Sequence, residues 1–188
     1  MKKNILFLSA CAGIIFMNAC GNKKTATDAP ENTTTEQVNE MPKYTSQDGK
    51  FSILFPGEPT VSTEKVETEI GTIDMSTFIY EKSSQEAYMV SYADYPAEMI
   101  KDVDQMEMLA SSRNGVLENI GASVVEEKDI TLDGHKGIYF KANSVSLYLI
   151  YKMVMVNNRI FQVAIMKEGG YPSDSEADSF IGSFTLTK

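Results

Sequence analysis

From Tyr44 onward, short runs with alternating or continuous apolar positions are separated by turn residues, the pattern of a chain built mostly from hairpins. Phe51-Ser52-Ile53-Leu54-Phe55 is stopped by Pro56-Gly57, Val61 to Ile70 and Ile73 to Glu81 flank Gly71, and Ala87 to Tyr95 closes at Pro96. Val124 to Leu132 and His135 to Ala142 flank Asp133-Gly134, a strong hairpin dipeptide. Ser146 to Val156 and Arg159 to Lys167 flank Asn157-Asn158, where asparagine tolerates positive φ. These last two runs are apolar on both faces, which places them at the centre of a sheet covered on each side.

Two segments switch to a helical period. Asp104 and Glu107 have the spacing of a capping box, and Val103 and Met108 that of a hydrophobic staple. Val103, Met106, Leu109, Ala110, Val116, Leu117 and Ile120 then recur at three- and four-residue steps up to Gly121, which stands where a left-handed cap belongs. A shorter helix starts after Ser173, paired with Glu176 as a second capping box, and presents Ala177, Phe180 and Ile181 before Gly182. Hairpin joins with two helices predict an α+β fold, a mainly antiparallel sheet sandwiched by helices in an α/β/α arrangement.

The strings GKFSILFPGEP, AYMVSYADYP, LDGHKGIYF, NRIFQVAIM and ADSFIGSFTL, in this order around one long helix, resemble the PsbP-like family. That family includes extrinsic photosystem subunits and many bacterial envelope lipoproteins. The resemblance spans Tyr44 to Lys188 and implies an antiparallel sheet between helices. It brings no active-site motif, and the Thr-rich segment before Tyr44 has no visible counterpart of the photosystem subunit's docking segment.

The amino-terminal residues carry an address. Lys2 and Lys3 precede 13 mostly apolar residues, Ile5 to Met17, too few for a membrane span of about 20 and suited to a signal peptide. Met17-Asn18-Ala19-Cys20 resembles a lipobox, so residues 1–19 are expected to be removed and Cys20 acylated. Leu8-Ser9-Ala10-Cys11 is the better lipobox by spelling. Cutting at Cys11 would leave a hydrophobic segment of only Ile5 to Ala10 and keep Ala12 to Met17 on the mature chain, so Cys20 is preferred. An ordinary secretory peptide would leave a lone exposed thiol. Residues 20–43 then form a lipidated tether rich in Thr, Asn, Glu and Lys, with only Val38 and Met41 as larger apolar groups. Residues 44–188 form one globular domain.

Charge and residue counts narrow the function classes. Loss of Lys2 and Lys3 leaves 15 of the 17 basic residues against 26 acidic ones, a net charge near −11 that repels phosphate backbones, so no nucleic-acid partner is expected. With both cysteines at the amino end, the domain stands on its core without an internal disulfide. His135 is the sole histidine and follows the Asp133-Gly134 turn as a polar strand start. No GxSxG, HExxH, CxxC or phosphate-cradling glycine loop occurs. Asp102, Asp104 and Glu107 look like a calcium loop but lack its glycine, and helix capping explains them; Asp174, Glu176 and Asp178 alternate in a helix's first turns, which points them to different faces and favours dipole compensation over chelation. Glu126, Glu127 and Asp129 read as a solvated strand edge. Met153 and Met155 read as core filling rather than copper ligands.

The one constellation suggesting recognition is aromatic. Tyr88 and Tyr92 share a strand face with Val90, and the strip runs into Asp94-Tyr95-Pro96. Packing under the long helix is the preferred reading of the strip; if it is instead a contact surface, Tyr92 and Tyr95 are the candidate binding residues. No catalytic residue, metal ligand or cofactor is assigned. The expected function is a lipid-anchored, non-enzymatic envelope protein that binds or supports assembly of an envelope protein partner. Gly21 beside Cys20 points to the outer membrane facing the periplasm, with surface display as the alternative. The rival class is a carboxylate-based hydrolase or metal-binding lipoprotein, because spacing along a chain says nothing about convergence in space.

Overall fold

The computed structural model describes residues 42–68 and 71–188; the expected signal peptide, Cys20 and nearly all of the expected tether lie outside the described residues. Seven strands make one antiparallel sheet. They are β3 (Thr60–Thr68), β4 (Gly71–Ser83), β5 (Glu86–Asp94), β6 (Ser123–Leu132), β7 (His135–Asn143), β8 (Leu147–Val156) and β9 (Arg159–Glu168), in the order β3-β4-β5-β9-β8-β7-β6. Every neighbouring pair but β5–β9 is a sequential hairpin. The turns are those the residues demand: Asp133 and Gly134 have φ of 50° and 85°, and Asn157 has φ of 55°.

Helix α2 (Gln105–Ile120) crosses one face. Its Asp104 cap accepts backbone N–H bonds from Met106 at 2.8 Å and Glu107 at 3.2 Å. Gly121 at φ 61° closes it while Ala122 N–H bonds back to Leu117 C=O at 2.9 Å, a Schellman end. Its buried face, with Met108, Leu109, Val116 and Leu117, packs into a core with Ile138, Phe140, Leu149, Tyr151, Met153 and Met155. The two-turn segment between β5 and α2 begins with a short helix, α1 (Ala97–Ile100), which turns Ile100 into the same core.

The opposite face is covered by more than a helix. Helix α3 (Asp174–Phe180), with the expected Ser173–Glu176 capping box complete, shares it with a small antiparallel sheet of β1 (Lys43–Ser46), β2 (Phe51–Leu54) and β10 (Thr185–Leu186), ordered β1-β2-β10. Phe51, Ile53, Phe55, Phe180 and Phe184 descend from this layer onto Phe78, Tyr88, Val90, Ile150, Phe161 and Ile165. Full burial of each such side chain stabilises by about 1.5–3 kcal/mol. This layering explains why β8 and β9 are apolar on both faces. It confirms the α+β antiparallel class and adds a small sheet that periodicity did not disclose.

One end of the large sheet is blunted: β6 is exposed, carries Glu126, Glu127 and Asp129, and is bulged between Val124 and Glu126. Among the described residues no helix is long and apolar enough to cross a membrane.

Candidate functional site

Strand β5 ends where Pro96 withholds an N–H, and β9 begins directly after the Asn157-Asn158 turn. Their register therefore sets Asp94 opposite Arg159. The guanidinium forks both carboxylate oxygens, Nε to Oδ1 and Nη2 to Oδ2, each at 2.6 Å. Its Nη1 also donates to the carbonyls of Asp48 at 3.0 Å and Gly49 at 2.9 Å, in the β1–β2 turn. The plane lies 4.2 Å from the Tyr92 ring centroid. One side chain thus joins the two sheets. The Asp94 hydrogen bonds hold the Arg159 pKa above its ordinary value, against the opposing pull of burial. A reciprocal pair stitches the next turn in place: Tyr95 N–H to Asn158 C=O at 2.8 Å, and Asn158 Nδ2 to Tyr95 C=O at 2.7 Å.

Beside this joint is a cleft of about 630 Å³, formed where the β1–β2, β6–β7 and β8–β9 turns meet β10. Val156, Phe161 and Leu186 supply apolar lining, and His135, Asp133 and Lys50 polar lining. Asp94 is consumed by Arg159, whereas Asp133 makes no ion pair with another described residue. Among the described residues no group of three His, Cys, Asp or Glu side chains is placed to hold a metal ion.

The two tyrosines chosen from sequence part company here. Tyr95 is 9% exposed and sits in the α2-side core, where its hydroxyl bonds with the Ser112 hydroxyl; burial pushes its pKa up. Tyr92 is half-buried under Arg159 on the other face. Tyr88 is buried on that same face, so Tyr88 and Tyr92 pack beneath the small sheet and α3 rather than under the long helix. None of the three lines the cleft; Tyr92 lies under Arg159, which does. Arg159, Asp48 and Leu186 were missed by sequence reasoning; the sole signal was an arginine opening an otherwise apolar strand.

A second polar cluster braces α3. Tyr88 O–H donates to Glu86 at 2.6 Å, Lys82 bridges Glu86 at 2.9 Å and Glu176 at 3.1 Å, and Lys167 lies 3.7 Å from Glu86. Burial raises the Glu86 pKa, but the bonds from Tyr88 and Lys82 reverse this and leave it lowered. The Ser173 backbone and hydroxyl bonds, then Lys82, hold Glu176 at about 2. Both folded values lie below unfolded ones, so this stability is complete above the ordinary carboxylate range and is lost as pH falls toward 2. Glu176→Gln should accordingly lower the melting temperature most near pH 7 and converge with the parent toward pH 2, flattening the acid limb between about pH 4.5 and 2. An unchanged acid limb would contradict the role of this cluster.

No protein-family model matches the chain, and no curated protein matches it. Among solved structures, the fold is similar to cyanobacterial PsbP (CyanoP) from Synechocystis sp. PCC 6803, with a TM-score of 0.55 at 12% identity over 83% of this chain and 98% of that one. A Bacteroides thetaiotaomicron protein gives 0.41 at 17% identity, over 78% of this chain and 48% of its own. A Pseudomonas aeruginosa protein of unknown function gives 0.38 at 10% identity, over 70% and 85%. The chain therefore has an α+β fold of the PsbP-like kind.

Proposed function

We propose that this protein is a lipid-anchored, non-enzymatic envelope protein, held by acylated Cys20 on the periplasmic face of the outer membrane, whose domain serves as a binding or assembly-support module. The observation that carries this reading is the sequence around Cys20, a charged start and short apolar run closing on Met17-Asn18-Ala19-Cys20 and followed at once by a polar tether. A tether of that length, as flexible coil, spans roughly 25 Å r.m.s., enough to present a domain near a membrane. The shape of the domain supports recognition over chemistry. Both faces of the large sheet are filled by packed side chains, and the carboxylate nearest the cleft's arginine is neutralised by it. The partner is an envelope protein, and nucleic acid is disfavoured by a formal net charge of −9 for the whole chain.

The anchor is tested by metabolic labelling with a fatty-acid probe. Cys20→Ser should abolish labelling and release the protein from the membrane fraction, while Cys11→Ser should leave both unchanged. Labelling that survives the first substitution and disappears with the second would move the anchor to Cys11. Crosslinking in intact envelopes with the native acylated chain tests the binding role, and recovery of the protein free of any specific partner would count against it.

A further inference from the structure

Three steps along the chain have the chemistry to close a five-membered imide on the backbone: Asp48-Gly49, Asn114-Gly115 and Asp133-Gly134. In each, a glycine nitrogen, unshielded by a side chain of its own, can attack the carbonyl carbon of the preceding side chain. By sequence Asn114 ranks first, because a neutral amide is a better electrophile than a carboxylate ion. The fold reverses that order. Gly115 is buried inside α2, where its nitrogen belongs to the helical ladder, and Asn114 Oδ1 accepts from Arg113 Nε at 3.2 Å and Nη2 at 3.0 Å. Gly49 is buried, its N–H donates to the Ser46 hydroxyl at 2.9 Å, and Arg159 Nη1 holds the Asp48 carbonyl. Asp133 and Gly134 are both exposed. With φ of 50° and 85° they form the two-residue tip of the hairpin closed by Leu132 and His135, so neither belongs to the ladder. Among the described residues the Gly134 N–H meets no acceptor and the Asp133 carboxylate forms no ion pair, and a Cβ built on Gly134 would meet nothing within 4 Å.

We propose that Asp133 is a site of spontaneous covalent modification, converting through a succinimide to isoaspartate, and that the fold makes it the preferred site over Asn114 and Asp48. In the first step the Gly134 nitrogen bonds to Cγ of the protonated Asp133 carboxyl. The Cγ–OH bond breaks, and that hydroxyl leaves with the proton of the nitrogen as water. In the second step water adds to either imide carbonyl. Attack at Cγ restores aspartate, whereas attack at the main-chain carbonyl breaks its bond to nitrogen, so that the chain runs on through Cγ. One water is lost and one regained, and neither an oxidant nor a partner is needed. Ring closure turns the Asp133 backbone and side chain, which a hairpin tip outside the ladder allows by local opening. The other two sites must first unwind the middle of α2 or pull the β1–β2 turn from Ser46 and Arg159. Isoaspartate adds one carbon to the main chain of a two-residue loop, which cannot then keep its turn geometry or the Leu132–His135 closing pair. Asp133 and His135 line the cleft of about 630 Å³, so the modified chain differs from the parent at that wall. The inference rests on neither the anchor nor a binding role.

The test is ageing of the full-length purified protein at neutral pH in heavy-oxygen water, both native and unfolded in urea. Peptide mass spectrometry then reads each site, with fragmentation that separates isoaspartate from aspartate. Every passage through the imide leaves heavy oxygen on the residue that closed it. In the native chain, label and isoaspartate at Asp133 should exceed those at Asp48 and Asn114 by about tenfold or more, because the latter two wait on local unfolding. In urea Asn114 should lead, and the advantage of Asp133 over Asp48 should vanish. Asp133→Asn keeps a residue favoured at this turn position and should convert faster than the parent while folded, gaining an acidic group visible on isoelectric focusing. Equal native conversion at Asp48 and Asp133, or native conversion led by Asn114, would overturn the proposal. So would a native Asp133 that stays unconverted over the time in which Asp48 converts in urea, or a folded Asp133→Asn chain that stays amidated while its urea-unfolded form converts.

Discussion

Tyr95→Ala should lower the unfolding free energy by about 3–5 kcal/mol, the range for deleting a large aromatic from a packed core. At roughly 2–4 °C per kcal/mol for a domain near this size, the melting temperature falls by about 6–20 °C. The ring lies with Ile100, Leu109 and Ile160 in the α2-side core, and its hydroxyl bonds with Ser112, itself only 7% exposed. Truncation opens a cavity and strips a buried hydroxyl of a partner, two penalties with the same sign. Tyr95→Phe separates them: it keeps the ring and should cost about 1 kcal/mol. Tyr92→Ala gives a smaller loss than Tyr95→Ala, because Tyr92 is half-buried and Arg159 can partly settle over the gap. Thermal or urea denaturation of the three variants checks the order. A Tyr95→Ala protein as stable as the parent would return that residue to the surface.

How far such outcomes were legible beforehand depends on whether the cause was local. The α2 ends were, because Asp104 and Gly121 act on backbone groups within four residues. The Asp133-Gly134 turn and the two-sided apolar strands β8 and β9 were legible for the same reason, since period and turn chemistry reside in short windows. The small sheet was not: β1 is four residues and β10 two, lengths that make a strand only when a large sheet lies beneath them to bury Phe51 and Phe184. The tyrosine strip was half legible. Strict alternation already separates Tyr92 from Tyr95, three residues on, and the structure puts them in different cores. What alternation could not say was which layer covers which face, because that is fixed by the β5–β9 pairing across the long connection through α2.

That same pairing underlies the second large effect. Arg159→Ala should destabilise the fold by about 2–4 kcal/mol, between the value of a hydrogen bond to a charged group and that of breaking a buried ion pair. Its side chain is 20% exposed and Asp94 is 50% exposed, so water can resolvate the orphaned carboxylate and keeps the loss below the fully buried limit. The remainder of the loss lies elsewhere. Nη1 holds the carbonyls of Asp48 and Gly49, and the guanidinium plane covers Tyr92, so its removal frees the β1–β2 turn from the large sheet. Arg159→Lys should recover little of this, because an ammonium cannot fork a carboxylate, reach two turn carbonyls and lie flat on a ring together. Asp94→Asn, which keeps one acceptor oxygen, should cost less than Arg159→Ala. Limited proteolysis adds a readout specific to the joint: cleavage in the 47–50 turn should rise in Arg159→Ala and not in Asp94→Asn. Equal protection of that turn in both variants would mean that the aromatic layer, and not the arginine, holds the two sheets together.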